Sequence, residues 1–186
     1  MKQKHRTLLL VFFVAIILFI ITVVILRINT KRYSPADVAS ISADGLEITI
    51  NYCRPYKKGR LIFGPQEEGA LQPFGQYWRL GANEATTLQI NRDVLLAGKR
   101  LQKGLYSIYA VPGPDTWLIG VNSEAKRWGY AEPDYEKDVL RVTVPVTYGE
   151  PLTEQFTIGL QPTDKGALML LDWDLAHVSV PIERVE

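Results

Sequence analysis

Cysteine is nearly absent from this 186-residue chain, and histidine is scarcely better represented. With Cys53 the single cysteine, no disulfide can form within the chain. Zinc sites that need several thiolate or imidazole ligands are excluded as well. The two histidines are His5, close to the N-terminus, and His177. Any metal site would have to lean on carboxylates, and no carboxylate spacing points to one, so neither metal nor cofactor is expected. Net charge is lacking too: 21 Lys and Arg against 20 Asp and Glu leave +1. A nucleic-acid partner calls for a basic stripe or patch, so none is expected. No Gly-rich loop leads from a strand into a helix, which removes the usual phosphate cradle.

One long apolar run is present. Leu8 to Leu26 reads LLLVFFVAIILFIITVVIL, with Thr22 its one polar residue. At about 1.5 Å per residue, such a run spans about 28 Å, the thickness of a hydrocarbon core. A cleaved signal peptide has a shorter apolar region followed by small residues. Here the run ends in Ile25-Leu26-Arg27-Ile28-Asn29, so an uncleaved anchor in the lipid bilayer is expected. Lys2, Lys4 and Arg6 before it balance Arg27, Lys31 and Arg32 after it, so the positive-inside count is a tie. The expected organisation is a cytoplasmic tail at 1–7, a transmembrane helix at 8–26, a linker at 27–39 broken by Ser34-Pro35, and one domain at 40–186. That domain is large enough to bury a core without cross-links.

Past residue 40 the hydrophobic period is 2. Leu46, Ile48, Ile50 and Tyr52 alternate with Glu47, Thr49 and Asn51, a half-buried strand after an Ala43-Asp44-Gly45 turn. Further strands are read at 86–90, at 94–96 turning through Ala97-Gly98-Lys99 into 100–101, and at 105–111 answered by 117–122 across Pro112-Gly113-Pro114-Asp115. Others are read at 139–143, 156–160, 167–171 and 178–182. After the anchor no helical period of useful length appears, beyond a turn that Ser123 to Tyr130 could hold. About nine short strands predict an all-β antiparallel sandwich or jelly-roll-like fold behind a single transmembrane helix.

The densest polar sequence lies between residues 52 and 87. It contains Tyr52-x-Arg54-Pro55, Lys58-Gly59-Arg60-x-Ile62-Phe63-Gly64, and Trp78-Arg79-x-Gly81-Ala82-Asn83-Glu84-Ala85-Thr86. With Lys103-Gly104-x-Tyr106-Ser107, Trp117, Asp138-Val139-Leu140-Arg141-Val142 and Val178-Ser179-Val180-Pro181, these motifs resemble the DUF2911 family, an uncharacterised group of mostly bacterial, exported proteins. The resemblance covers about residues 38–183. It departs at Cys53, where the family commonly has Gly or Ser, and at Gln102-Lys103-Gly104, where Pro-Ala-Gly is common. It implies a fold and an extracytoplasmic compartment, but brings no activity, substrate or catalytic residues.

The residues themselves leave alternatives open. Arg54, Arg60, Arg79, Asn83 and Glu84 either gather guanidiniums on an anion or pin irregular backbone by donating to loop carbonyls. Trp78 either stacks on a sugar or base, or packs in the core. Trp117, Trp128 and Trp173 are expected in the core. Cys53 reads as a small packing residue, since no histidine lies near it in sequence. Glu84 with Asp138 or Asp134 is the acid–base pair a hydrolase would need. His177 reads as a rim histidine. The leading expectation is a non-catalytic binding or interaction module at the bacterial envelope, single-pass in the cell membrane. Its C-terminal domain lies outside, and its partner is an unidentified envelope protein or a small anionic or glycan ligand. The alternative is a hydrolase acting on an anionic or glycan substrate with Glu84 and an aspartate.

Overall fold

The computed structural model describes residues 2–185. The apolar run lies inside one helix, α1 (Lys2–Tyr33), long and apolar enough to cross a membrane. Its large apolar side chains from Leu8 to Leu26 are all exposed, as a lipid-facing helix requires. The Thr22 hydroxyl donates to the Leu18 carbonyl one turn back (2.8 Å), which satisfies it without water. The chain divides after Tyr33 into this helix and a second unit, residues 34–186.

The second unit starts earlier than the sequence suggests. Instead of a linker at 27–39, α1 runs to Tyr33 and strand β1 (Ala36–Ala43) follows, leaving Ser34 and Pro35 between them. Lys31 and Arg32 occupy the last helical turn, where cations favour the helix dipole. Pro35 cannot continue a helix and pushes Ser34 out of helical backbone. β1 turns Asp37, Ala39, Ile41 and Ala43 inward and keeps the alternate positions exposed. Apart from Ile41, its inward residues are small or polar, so its alternation is faint in the sequence.

The remaining strands are β2 (Leu46–Cys53), β3 (Phe63–Gly64), β4 (Gln72–Pro73), β5 (Thr86–Ile90), β6 (Val94–Leu96) and β7 (Lys99–Leu101). After them come β8 (Gly104–Val111), β9 (Thr116–Asn122), β10 (Asp138–Thr163) and β11 (Gly166–Arg184). β3 and β4 form a small parallel pair. The other nine make one antiparallel sheet in the order β1-β2-β5-β8-β9-β10-β11-β6-β7. Asp44 (φ 50°) and Gly45 (φ 74°) close the β1–β2 hairpin, and Ala97 (φ 45°) with Gly98 (φ 82°) closes β6–β7. Both central residues of each turn are left-handed, the turn that suits the right-handed twist of a hairpin.

β10 makes this sheet a sandwich. Its stretch Asp138–Pro145 pairs with β9 and the longer remainder, from Val146, with β11, so one 26-residue strand crosses from one layer to the other. The β2 end then meets β10 again: Phe156 N–H donates to Pro55 O (2.9 Å) and Lys57 N–H to Glu154 O (2.7 Å). Between the layers lies an aromatic core. Trp78 stacks on Trp173 (ring centroids 5.6 Å) and meets Trp117 (5.7 Å) and Phe156 (4.9 Å) edge-on. Helical structure at 123–130 is not found; that segment is a loop, and a short 3-10 turn follows at Tyr135–Lys137.

Candidate functional site

The expected site residues divide between structural duties and one shared loop. Arg54 spends its fork on the sandwich seam. Its Nε donates to Phe156 O (3.1 Å), one terminal nitrogen to Asp37 Oδ2 (3.1 Å) and the other to Thr157 Oγ1 (2.8 Å). Arg60 donates to the carbonyls of Lys57 and Tyr56, closing its own turn. Trp78 is 2% exposed in the core, and its Nε1 donates to Gly81 O (3.2 Å). Core packing is therefore its role, and its ring faces are covered by protein.

Arg79, Asn83 and Glu84 do come together, on the loop between β4 and β5. Three positive φ values shape it: Leu80 (51°), Gly81 (141°) and Asn83 (61°). Gly81 is required by space as well as angle, since a Cβ there would sit 2.6 Å from the Cys53 carbonyl. The Cys53 thiol is buried and lies 3.8 Å from Glu84 Oε2. Asn83 is 8% exposed, and its Nδ2 donates to Ser34 O (3.3 Å). A second loop, residues 126–130, is laid along the first. Ala85 N–H donates to Arg127 O (3.2 Å) and Gly129 N–H to Asn83 O (3.1 Å), while Glu84 and Trp128 form a bridge. Gly129 has no room for a side chain, because a Cβ would meet Arg79 Cδ at 2.7 Å. Arg79 runs beneath this loop, donates to Asn83 O (3.4 Å) and places its guanidinium 5.9 Å from the Tyr130 ring centroid. Burial, with Arg127 nearby, weakens the hold of Arg79 on its proton. Trp128 is 42% exposed and Tyr130 78%, so Trp128 is not the core residue expected from sequence.

Beside these loops lies an outer layer that sequence reasoning missed. Gly120 on β9 leaves its face bare, and the Tyr109 ring of β8 lies across it; a Cβ there would meet the ring at 2.1 Å. Tyr77 and Tyr135 flank Tyr109, with centroids 5.6 and 5.8 Å away. Tyr109 OH donates to Asp138 Oδ2 (2.6 Å), Arg141 Nε to the same oxygen (2.6 Å), and Asn122 Nδ2 to Asp138 Oδ1 (2.7 Å). Burial, then the Asp138 carboxylate, pushes the Tyr109 phenol far up. Burial and the Glu132 carboxylate push Tyr135 up to about 12. Arg127 stands 5.5 Å from the Tyr77 ring centroid and donates to Tyr77 OH (2.6 Å) and Ala131 O (2.6 Å). A glycine inside a strand, two positions from its end, was the available signal for this close approach.

Residues 34–182 match the family model described as a protein of unknown function, DUF2911. The chain belongs to the DUF2911 family. No curated protein and no solved structure matches it. The matched region begins at Ser34, whose carbonyl Asn83 holds, and the DUF2911 domain therefore includes β1.

On the β10–β11 side of the DUF2911 domain, His177 is half-buried and doubly bonded. Its Nδ1 lies 2.7 Å from Asp172 Oδ1 and its Nε2 3.1 Å from Gly149 O. The Asp172 carboxylate raises the imidazole pKa against the lowering effect of burial. On the same strand Asp174 Oδ2 pairs with Lys57 Nζ (2.6 Å), which also donates to Arg60 O (2.9 Å). Asp174 sits at a left-handed residue (φ 58°) where the β10–β11 register shifts. These groups pin an irregular stretch of two long strands. Among the described residues, no group of three or more His, Cys, Asp or Glu is arranged to hold a metal ion.

Proposed function

We propose that this DUF2911 protein is a single-pass membrane protein of the bacterial envelope, with its N-terminus in the cytoplasm. Its domain acts outside as a non-catalytic binding module. The observation that carries the reading is the face built by Tyr77, Arg79, Arg127, Trp128 and Tyr130. Two guanidiniums lie over tyrosine rings there, with aromatic side chains exposed beside them. An aromatic and cationic surface suits an anionic or glycan ligand, or an envelope protein presenting one, because guanidinium groups recognise oxyanions and aromatic faces stack on sugars.

The hydrolase alternative gains no support from the carboxylates. Both oxygens of Asp138 accept hydrogen bonds from framework residues. Asp134 caps the 3-10 turn by accepting from Glu136 N–H (3.1 Å). A general acid–base pair needs carboxyls free to face a substrate.

Two experiments test the reading. Fusions of alkaline phosphatase and of a fluorescent protein to the C-terminus report its side of the membrane. An active phosphatase and a dark fluorescent protein are expected, and the reverse pattern overturns the topology. Thermal shift of the full chain in neutral nanodiscs, against anionic oligosaccharides and sugar phosphates, is expected to show stabilisation that Arg79→Gln removes. Turnover of any of these compounds would overturn the non-catalytic reading.

A further inference from the structure

The binding face is tied to the point where the domain begins. Asn83 on the first loop holds the Ser34 carbonyl, and Arg54 N–H donates to Pro35 O (2.8 Å). Ser34 is bonded to Tyr33, the last residue of α1, and β1 starts at Ala36. If Leu8 to Leu26 fills the hydrocarbon, residues 27–33 continue the helix for about 10 Å. The polar headgroup layer on each side of a bilayer is about 5–8 Å thick. Ser34 thus leaves the helix close to the outer margin of the headgroups, and the loop that grips it cannot lie far from them. The second loop is hydrogen-bonded to the first through Asn83 and Ala85 and carries Lys126, Arg127, Trp128 and Tyr130. Exposed Trp and Tyr beside Lys and Arg form the composition that settles at a membrane–water interface, rings among the headgroups and cations on the phosphates.

We propose that the 126–130 loop, with Arg79 beneath it, docks on the phospholipid headgroups of the membrane that holds the chain's own helix. The inference rests on the membrane-anchored binding reading above and names the partner of that face. Glu84 and Glu132 border the loop, so aromatic burial rather than net positive charge supplies the attraction. The contact is therefore expected to survive moderate salt.

Tryptophan emission tests this directly, because Trp78, Trp117 and Trp173 are each 1–2% exposed in the core and Trp128 is not. The full chain is reconstituted in phosphatidylcholine–phosphatidylglycerol vesicles. These carry a nitroxide either on the headgroup or deep on the acyl chain. The headgroup label is expected to quench part of the emission, the deep label much less, and Trp128→Phe to abolish the headgroup effect. Near-UV circular dichroism checks that the variant keeps its fold, and Tyr130→Ala, which leaves Trp128 in place, is expected to reduce the quenching. Emission unchanged by the headgroup label, in a chain that resists alkaline carbonate extraction, overturns the docking while leaving the anchor intact. Extraction by carbonate overturns the anchor and the docking together. Inorganic phosphate that shifts the emission where the headgroup label does not would make the face a site for soluble anions, and overturns the lipid assignment.

Discussion

Arg54 and His177 show how single side chains hold this domain. Arg54 ties β1, the end of β2 and β10 with three hydrogen bonds, two of them to side chains. Arg54→Ala is expected to cost about 1.5–3 kcal/mol, as for charged hydrogen bonds lost at a partly buried site, read as a lower urea midpoint. His177 gives a pH signature. Its folded pKa is raised, so its protonated form is favoured by folding. The stabilisation is complete below the unfolded value, about 6.5, and is lost as pH rises through the folded pKa. The midpoint of the protein should exceed that of His177→Gln at about pH 5.5, and the gap should shrink by about pH 8.5; a gap that widens would refute the Asp172 pairing. Residue identity was legible where one geometry dominates: guanidiniums near irregular backbone were read as either staples or anion ligands, and Arg54 and Arg60 are staples. Which partner each would meet was not legible, because Phe156 and Thr157 lie about a hundred positions away in the chain.

Among the elements, the one most exposed to a small change is the β8–β9 pair. Gly120→Ala places a methyl inside the Tyr109 ring, which is 1% exposed and held between Tyr77 and Tyr135. The ring cannot swing aside without breaking its bond to Asp138, so a loss of about 1–3 kcal/mol is expected, with a weakened near-UV tyrosine signal. Wild-type stability in this variant would show that the outer layer yields easily. The short strands from β5 to β9 were legible because their alternation is strong and their turns carry Gly and Pro. The long strands were seen only in pieces. Pro145, Gly149, Pro151 and Pro162 punctuate β10, and local reading takes such residues as breaks. The sheet accommodates Gly149 and Pro151 at a register shift next to Asp174, and keeps Pro145 and Pro162 within regularly paired stretches. The 126–130 loop was misread through Trp128, since tryptophan is usually buried and composition alone could not reveal a strand-like bridge to Glu84.

At the scale of the whole molecule, the break after Tyr33 predicts that residues 34–186 fold alone. This fragment should melt cooperatively by far-UV circular dichroism. A fragment starting at Ala36 loses the Ser34 and Pro35 carbonyls that Asn83 and Arg54 use, about 1–2 kcal/mol and so roughly 4 °C in Tm. Equal melting of the two would show that the junction contributes nothing. The two-unit division was legible from hydropathy, whereas the closure of the sandwich was not, because it depends on one strand serving both layers. That strand also sets a timetable. Tyr52 donates its ring hydroxyl to Ile158 O, 106 residues further on. A chain made from its N-terminus at about 5–20 residues per second presents Leu46, Ile48 and Ile50 for about 5–20 s before β10 exists to complete the core they join. During that interval β1 and then β5 pair the edges of β2, but the apolar seam its inner face makes with the second layer stays open, a surface that sticks to a neighbouring nascent chain. A product truncated before β10 keeps that seam open indefinitely, and is expected to aggregate as it leaves the ribosome unless a holding chaperone shields it.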